Sequence, residues 1–348
     1  KSGEKLRVKL GIDPTSPDIH IGRSVQLLKL RDFQKLGHQI VLIIGDFTSV
    51  IGDTSDKDAE RPMLSREEIE KNQKSYFEQA GKIIDLDKAE LRRNSEWLEP
   101  LTYREIGEQA DLFSVSDFIA RENIAKRLTA GKRVSLREVL YPLMQGYDSV
   151  AIKADVELGG TDQRFNLLAG RIMQPKYGQT PQNIVMGNLI VGLDGRKMSS
   201  SWGNTITLTA SPDDMYGKVM SLSDEHVGTY FIHCTRTSLQ EVEQVMKGHP
   251  KEAKMRLAFE IVKMYHGEDM AQKAQDNFEN AFSKGGVPED IKTVKVGKET
   301  PLVDILIEQG VLSSKSEFTR LEKAGAINEI EPGTYRIGKH RFIKVERE

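Results

Sequence analysis

Two short polar segments, far apart in the sequence, have the residue types that hold a nucleotide triphosphate. Residues 13–23 read Asp-Pro-Thr-Ser-Pro-Asp-Ile-His-Ile-Gly-Arg, and residues 192–201 read Gly-Leu-Asp-Gly-Arg-Lys-Met-Ser-Ser-Ser. A helix that starts at His20 presents unpaired backbone N–H groups to an anion, and Gly22 leaves room for a base or a phosphate. Lys197 lies on a glycine-flanked loop that can close over the phosphates and stabilise charge developing at the α-phosphate. Either segment alone is equally typical of a surface helix or turn, so the prediction rests on the pair.

A third group of polar residues lies on one face of a predicted helix. Tyr141, Gln145 and Asp148 are spaced four and then three residues apart, which places them on the same side of a helix. If this face is buried, its polar groups need hydrogen-bond partners, and a small polar ligand could supply them. A face exposed to water explains the spacing at least as well.

The elements that position these residues follow from the apolar pattern. Apolar and polar residues alternate over 6–12, which predicts a strand, and the continuous apolar run at 38–44 is typical of a parallel strand covered on both faces. A helix is expected to begin near His20, with Asp18 as its N-terminal cap.

Residues 149–154 and 183–191 predict further strands, with helical segments between them. This alternation indicates a doubly wound, Rossmann-like α/β domain with a parallel sheet. Ligands in such sheets bind at the carboxyl ends of the strands, where Asp13 and Asp46 both fall.

The remaining sequence predicts a helical insertion and three further segments. The catalytic domain is expected over 1–211, with the insertion at about 65–145. A helical domain at 212–282 follows, and then a Lys-rich linker poor in large apolar residues at 283–299. The pattern recovers in a small α+β unit at 300–348.

Composition bounds the class of protein. The chain has 348 residues, 38% of them hydrophobic and 29% charged, which is typical of a globular protein of two or three domains. Its apolar runs are far too short to span a membrane, and no signal peptide is visible. The single cysteine, Cys234, excludes an internal disulfide and indicates a reducing, cytoplasmic setting. A net charge of −2 gives no overall attraction to nucleic acid, so RNA contact would need local basic patches.

The two nucleotide segments resemble the His-Ile-Gly-His and Lys-Met-Ser-Lys-Ser motifs of class I aminoacyl-tRNA synthetases. The residues between them narrow the resemblance to the bacterial tyrosyl-tRNA synthetases, over nearly the whole chain. Three positions depart from the pattern. Arg23 replaces the final His of the first motif, and Ser200 replaces the second Lys of the other. Lys9 stands where one bacterial subgroup has Tyr and another has Lys.

The resemblance implies a tyrosine pocket and a nucleotide site. For tyrosine it implies Asp13, Asp53, Asn94, Tyr141, Gln145, Asp148 and Gln163, with Asn94 supporting Asp53 and Asp148 reading the phenol hydroxyl. For ATP it implies Thr15, His20, Gly22, Arg23, Gly160, Asp162, Lys197, Met198, Ser199 and Ser200. The catalytic set is Thr15, His20, Lys57, Arg61, Lys197 and Ser200, although acidic neighbours of Lys57 and Arg61 equally suggest a solvated loop.

The same resemblance implies the partners. The enzyme would join L-tyrosine to tRNA(Tyr), using ATP with Mg²⁺ and no tightly bound cofactor, metal-ligand cluster or membrane. A homodimer would form through the insertion, at 111–119 and the helix containing Leu136. Residues 300–348 resemble an S4-type RNA-binding module whose second helix presents Lys315, Arg320 and Lys323. Basic and acidic residues are equally numerous there, so a structural cap remains an alternative.

The sequence leaves two other functions open. A tryptophanyl enzyme of the same class is the nearer one, but indole has no hydroxyl for the Tyr141 and Asp148 face to bind. The other is an RNA-binding protein that has lost catalysis, which the changes at Arg23 and Ser200 suggest and the intact His20, Asp162 and Lys197 oppose.

Overall fold

A parallel five-stranded sheet organises the first part of the chain. The computed structural model describes residues 3–53, 65–283, 291–297, 300–312, 314–338 and 341–347. The strands lie in the order β3-β2-β1-β4-β5 and every neighbouring pair is parallel. Their bounds are β1 Arg7–Ile12, β2 Gln39–Ile44, β3 Glu90–Arg93, β4 Val156–Gly160 and β5 Asn183–Gly187. The predicted doubly wound α/β class is therefore confirmed, and its switch point lies between β1 and β4, where ligands bind in this architecture.

Helices connect and cover these strands. Up to β4 they are α1 Ile21–Lys35, α2 Asp46–Ile51, α3 Arg66–Gly81, α4 Ser95–Leu98, α5 Tyr103–Ala110, α6 Val115–Ile119, α7 Glu122–Thr129, α8 Leu136–Val139 and α9 Tyr141–Ala151. After β4 come α10 Arg164–Met173, α11 Pro212–Met220, α12 Val227–Cys234, α13 Leu239–Met246, α14 Pro250–His266 and α15 Glu268–Ser283. In the described part of the chain, no helix combines the length and the apolar character needed to cross a bilayer.

The central strands are almost fully buried. β2 reads Gln-Ile-Val-Leu-Ile-Ile and its five apolar residues are at most 1% exposed. The parallel neighbours β1 and β3 satisfy its backbone, and burial on both faces accounts for the continuous apolar run. The sheet is therefore a rigid platform for the polar residues at its carboxyl edge.

The cap of α1 differs from the prediction. His20, not Asp18, is the N-terminal cap, because its Nδ1 accepts a hydrogen bond from the Arg23 backbone N–H at 3.3 Å. Asp18 instead accepts a hydrogen bond from the Thr209 hydroxyl at 2.8 Å.

One predicted strand was also wrong, and one segment predicted to be mostly helical contains a strand. The strand expected at 149–154 is the end of α9 and a turn through Lys153, which has a φ of +53°. The true strand, β4, starts at Val156 because the chain has to leave the helix before it enters the sheet. The insertion expected at 65–145 is mostly helical, but β3 interrupts it and joins the edge of the sheet.

The described chain separates into two compact units. One comprises Lys1–Ala210 with Leu222–Ala253, and the other Ser211–Ser221 with Lys254–Glu348. The second unit contains α16 Leu302–Glu308 and α17 Lys315–Lys323. Its sheet has the order β6-β9-β8-β7, with bounds β6 Thr293–Val296, β7 Ile327–Glu331, β8 Thr334–Ile337 and β9 Arg341–Arg347.

The segment expected to be a linker contributes a strand to this small sheet. β6 lies within 283–299 and pairs in parallel with β9, from Thr293 opposite Lys344 to Val296 opposite Arg347. Val294 and Val296 pack against a buried cluster that contains Ile305, Leu306 and Ile343. These two alternate valines, masked by surrounding lysines in the sequence, are enough to hold an edge strand.

Candidate active site

A cavity of about 710 Å³ opens at the carboxyl edge of the parallel sheet. Both nucleotide segments and the Tyr141 face of α9 line it. The candidate tyrosine- and ATP-binding residues that the structure describes all contribute to the lining: Asp13, Thr15, His20, Gly22, Arg23, Asp53, Asn94, Tyr141, Gln145, Asp148, Gly160, Asp162, Gln163, Lys197, Met198, Ser199 and Ser200. Lys57 and Arg61 lie outside the described residues. The volume is within the range typical of small-molecule sites.

His20 is held in its neutral form at the start of α1. It is 6% exposed, and burial, followed by the charges of Arg23 and Lys197, lowers its pKa to about 3. Because Nδ1 accepts the Arg23 backbone N–H, the ring proton lies on Nε2. His20 therefore offers one fixed hydrogen-bond donor without a charge.

The loop at 192–201 is fastened by one buried side chain, Asn204. Its amide nitrogen donates to Asp194 Oδ1 at 2.6 Å and to the Lys197 carbonyl at 3.1 Å, and its oxygen accepts the Ser199 N–H at 2.8 Å. A side chain on Gly192 would collide with Asn204, which explains this glycine. Both arms of the loop are thus tied to a single amide.

Lys197 meets the other half of the site through Asp162. Its Nζ lies 2.9 Å from Asp162 Oδ2, and both side chains are partly exposed to the cavity. When a nucleotide enters, the ammonium group of Lys197 can leave this carboxylate and pair with a phosphate instead. Arg196 is engaged elsewhere: it pairs with Asp194 and its guanidinium lies 4.7 Å from the Trp202 ring centroid.

Asp13 joins three elements at the centre of the cavity. Its carboxylate accepts hydrogen bonds from Thr48 Oγ1 at 2.7 Å and from the Tyr141 hydroxyl at 2.8 Å. A Cβ on Gly45 would overlap this carboxylate, so the glycine permits its approach. Burial, followed by the charges of Asp13 and Asp53, raises the pKa of Tyr141 well above its ordinary value, so its hydroxyl stays a donor.

Asp148 lies at the inner end of the cavity, 4% exposed. The Trp97 indole N–H donates to its Oδ1 at 2.8 Å, and Asn94 supplies a further side-chain hydrogen bond. Burial raises the pKa of Asp148 to about 7, against the lowering effect of Lys9 and these donors. Near pH 7, the neutral and ionised forms of this carboxyl are therefore both populated, and its neighbours Trp97 and Asn94 donate hydrogen bonds to it.

Behind this end of the cavity lies a fully buried ion pair. Lys9 on β1 and Glu157 on β4 occupy paired positions in the parallel register, and Lys9 Nζ is 2.8 Å from Glu157 Oε1. Their side chains are 0% and 1% exposed. The Ser149 hydroxyl joins both, and Gln145 Nε2 donates to Glu157 Oε1 at 3.1 Å. Lys9 Nζ also donates to the Gln145 backbone carbonyl at 2.9 Å. Lys9 thus holds the backbone of Gln145 at the back of the pocket, and Glu157 holds its side chain.

Asp53 and Gln163 meet at the opposite side of the cavity. Gln163 Nε2 donates to Asp53 Oδ2 at 2.7 Å, and Asn166 donates to Gln163 Oε1 at 2.9 Å. The expected pairing of Asn94 with Asp53 was wrong. Asn94 donates to Thr48 Oγ1 at 2.9 Å and bonds Asp148, because α4 places it beside α2 and α9.

Sequence reasoning missed two supporting residues. Tyr76 of α3 is 1% exposed, and its hydroxyl contacts Arg23 and Ser16. Asn204 was also overlooked. The sequence contains two signals for them, a tyrosine on an otherwise charged helix and an asparagine after Trp-Gly. Neither signal indicates which residue would be the hydrogen-bond partner.

Most of the side chains expected to bind a second subunit or RNA are exposed. In the insertion, Tyr103, Val115 and Leu136 are 95%, 74% and 71% exposed. On α17, Arg320 and Lys323 are exposed, while Lys315 lies 3.0 Å from Asp304. No group of three or more His, Cys, Asp or Glu side chains suited to a metal ion occurs among the residues that the structure describes.

The chain belongs to the family of class I tRNA synthetases (W and Y), whose family model matches residues 1–283. Among curated proteins it is similar to the tyrosine–tRNA ligases of Thermotoga maritima, at 45% identity over 98% of this chain and 90% of the relative, and of Ralstonia nicotianae, at 44% over 99% and 93%. The resemblance to bacterial tyrosyl-tRNA synthetases is thereby confirmed.

Solved structures agree on the fold. A mitochondrial tyrosyl-tRNA synthetase from Aspergillus nidulans aligns with a TM-score of 0.67 at 21% identity, over 80% of this chain and 86% of that one. Tyrosyl-tRNA synthetase from Archaeoglobus fulgidus, complexed with L-tyrosine, aligns with a TM-score of 0.61 at 22% identity, over 79% and 91%.

Proposed function

We propose that this protein is a tyrosine–tRNA ligase. The carboxylate of tyrosine attacks the α-phosphate of ATP, the bond to pyrophosphate breaks, and tyrosyl-adenylate forms. A ribose hydroxyl at the 3′ end of tRNA(Tyr) then attacks the tyrosyl carbonyl carbon and AMP leaves. The observation that supports this most is the buried carboxyl of Asp148, surrounded by donors, in the same cavity as the two nucleotide segments.

The pocket can select tyrosine through opposite ends of the molecule. Asp148 would accept a hydrogen bond from the phenol hydroxyl, because Trp97 and Asn94 already donate to this carboxyl. Asp53, with Gln163, would bind the ammonium group. Asp13, Tyr141 and Gln145 would line the space between them. An indole would leave Asp148 without the hydroxyl partner, which disfavours tryptophan.

The nucleotide part of the cavity can stabilise the transferring phosphate. Neutral His20 would donate from Nε2, and Thr15 would donate from its hydroxyl. Lys197 would leave Asp162 for the phosphates, and Asp162 would then accept the ribose hydroxyls. Gly22, Gly160, Met198, Ser199 and Ser200 would line the nucleotide, while Lys57 and Arg61 would approach pyrophosphate. These fixed donors supply positioning and charge stabilisation, which are the main needs of phosphoryl chemistry.

The larger partners would bind outside the cavity. Mg²⁺ would enter on the ATP phosphates. Residues 300–348 would contact tRNA through Lys315, Arg320 and Lys323, as a module separate from the catalytic domain. The exposed apolar residues Val115 and Leu136 would be covered in a homodimer.

ATP–pyrophosphate exchange with each of the twenty amino acids tests this function. We expect exchange with tyrosine, and at least a thousandfold lower kcat/KM with phenylalanine, because a site built around a hydroxyl strongly rejects an analogue that lacks it. Exchange with tryptophan instead would establish the sister activity. RNA binding without exchange with any amino acid would support the non-catalytic alternative.

A further inference from the structure

The guanidinium of Arg23 contacts three neutral groups around the nucleotide part of the cavity. It donates from Nη1 to the Asp13 carbonyl at 3.2 Å and to the Tyr76 hydroxyl at 3.0 Å, and from Nη2 to Thr15 Oγ1 at 3.3 Å. Among the described residues, none of these partners is a carboxylate. By contrast, Lys197 in the same cavity pairs with Asp162. The positive charge of Arg23 is therefore available to an anion.

Arg23 also orients the hydroxyl that would meet the phosphate. Because Thr15 Oγ1 accepts a hydrogen bond from the guanidinium, its own proton has to point elsewhere. Thr15 lines the cavity, and so does His20, whose pKa the charge of Arg23 helps to lower. Arg23 thus acts on both neutral donors of the site.

A chain of hydroxyls connects Arg23 to the loop residue Ser200. The Tyr76 hydroxyl accepts from Arg23 and can donate to Ser16 Oγ at 3.1 Å, and Ser16 donates to the Asp18 carbonyl at 3.1 Å. Ser200 Oγ lies 3.4 Å from Ser16 Oγ. Ser16, which precedes α1, therefore contacts both Tyr76 of α3 and Ser200 of the loop, and Tyr76 contacts Arg23 of α1.

We propose that Arg23 supplies, from α1, the cation that acts together with Lys197 on the triphosphate, in place of a lysine at position 200 of the loop. The site then needs one positive charge from these two positions, and either an arginine at position 23 or a lysine at position 200 can supply it. With Arg23 and Lys197 both in the cavity, a lysine added at position 200 would face two cations, whereas the serine only completes the hydroxyl chain. This inference rests on the proposed use of ATP.

A double-mutant cycle tests the exchange. The variants are Arg23→Gln, Ser200→Lys and the double variant, and the measurement is kcat/KM for ATP in tyrosine-dependent pyrophosphate exchange. We expect Arg23→Gln to lower it about 100-fold, the loss typical of one preorganised group. Ser200→Lys alone should give no increase, but in the Arg23→Gln background it should restore at least 10-fold. Effects that multiply independently would overturn the proposal, because a purely structural role for Arg23 predicts no rescue.

A second measurement tests phosphate binding by Arg23 independently of the proposed tyrosine–tRNA ligase activity. Binding of inorganic tripolyphosphate, followed by calorimetry, should weaken about 10-fold in Arg23→Gln and recover in the double variant, even if no amino acid supported exchange. Lys29→Gln is the matched control, since it removes a charge from the same helix at a side chain that is 51% exposed. Equal weakening by Lys29→Gln, or tripolyphosphate binding unchanged in Arg23→Gln, would contradict the local role of Arg23.

Discussion

Tyrosine binding should depend on pH through Asp148. Its pKa is raised to about 7, so the carboxyl is largely protonated at pH 6 and ionised at pH 8. The groups around it donate hydrogen bonds, and the phenol would add another, so tyrosine should bind the ionised form. Below pH 7 the ligand has to displace a proton. The dissociation constant for tyrosine should then be about 10-fold higher at pH 6 than at pH 8.

The same raised pKa has a consequence for stability whose sign is fixed. In the unfolded chain this carboxyl titrates near 3.8, and in the folded protein near 7. Between these values the folded state keeps a proton that the unfolded state has lost, so the free energy of unfolding falls as pH rises from about 4 to 7. The full effect is up to about 4 kcal/mol. Asp148→Asn should therefore stabilise the ligand-free protein at pH 8.

Calorimetric titration of tyrosine at pH 6, 7 and 8, in two buffers of different ionisation enthalpy, measures both affinity and protons released. Phenylalanine is the control ligand and should show little pH dependence. In Asp148→Asn the pH dependence should vanish and tyrosine should lose much of its advantage over phenylalanine. His20 does not interfere, since its pKa is about 3. An affinity for tyrosine that stays flat from pH 6 to 8 in the unmodified protein would refute the assignment.

Three further results are expected. His20→Ala should slow adenylate formation on the order of 100-fold while the equilibrium affinity for tyrosine stays unchanged, and a weakened affinity with a normal rate would count against the phosphate role. Lys9→Met should lower the free energy of unfolding by about 3–5 kcal/mol in denaturant titrations, because it strands the buried Glu157, whereas Lys9→Met with Glu157→Gln should recover most of it. Removal of residues 284–348 should preserve pyrophosphate exchange and sharply reduce tRNA charging; the cut precedes β6, and full charging by the shortened protein would make the C-terminal module a structural cap.

The sequence predicted the catalytic platform well because its signals are local. The apolar run of β2, the turn after β1 and the spacing of Tyr141, Gln145 and Asp148 each depend on neighbours along the chain. Such periodic patterns survive folding with little change. The cavity residues followed because strands of one parallel sheet deliver their carboxyl ends to the same edge.

The features that the sequence did not predict depend on contacts between segments that are distant along the chain. Asn94 turned toward Asp148 because α4 packs beside α9, and nothing in residues 94–97 specifies that partner. Likewise, β6 is a strand only because β9 offers it an edge, and the paired residues Thr293 and Lys344 are far apart in the sequence. The N-terminal cap of α1 was misassigned because Asp18 and His20 are both able to cap, and the choice is made by the hydroxyl of Thr209, which engages Asp18.

The pairing of Lys9 with Glu157 limits how this pocket can evolve. The two residues are paired on adjacent parallel strands, so a substitution at one position leaves the charge at the other buried without its partner. We expect a single substitution at either position to destabilise the fold, and a joint replacement by uncharged residues to be tolerated. Libraries that seek new amino-acid specificity by varying position 9 alone will therefore recover few folded members, and those that vary positions 9 and 157 together will sample the back wall of the pocket effectively.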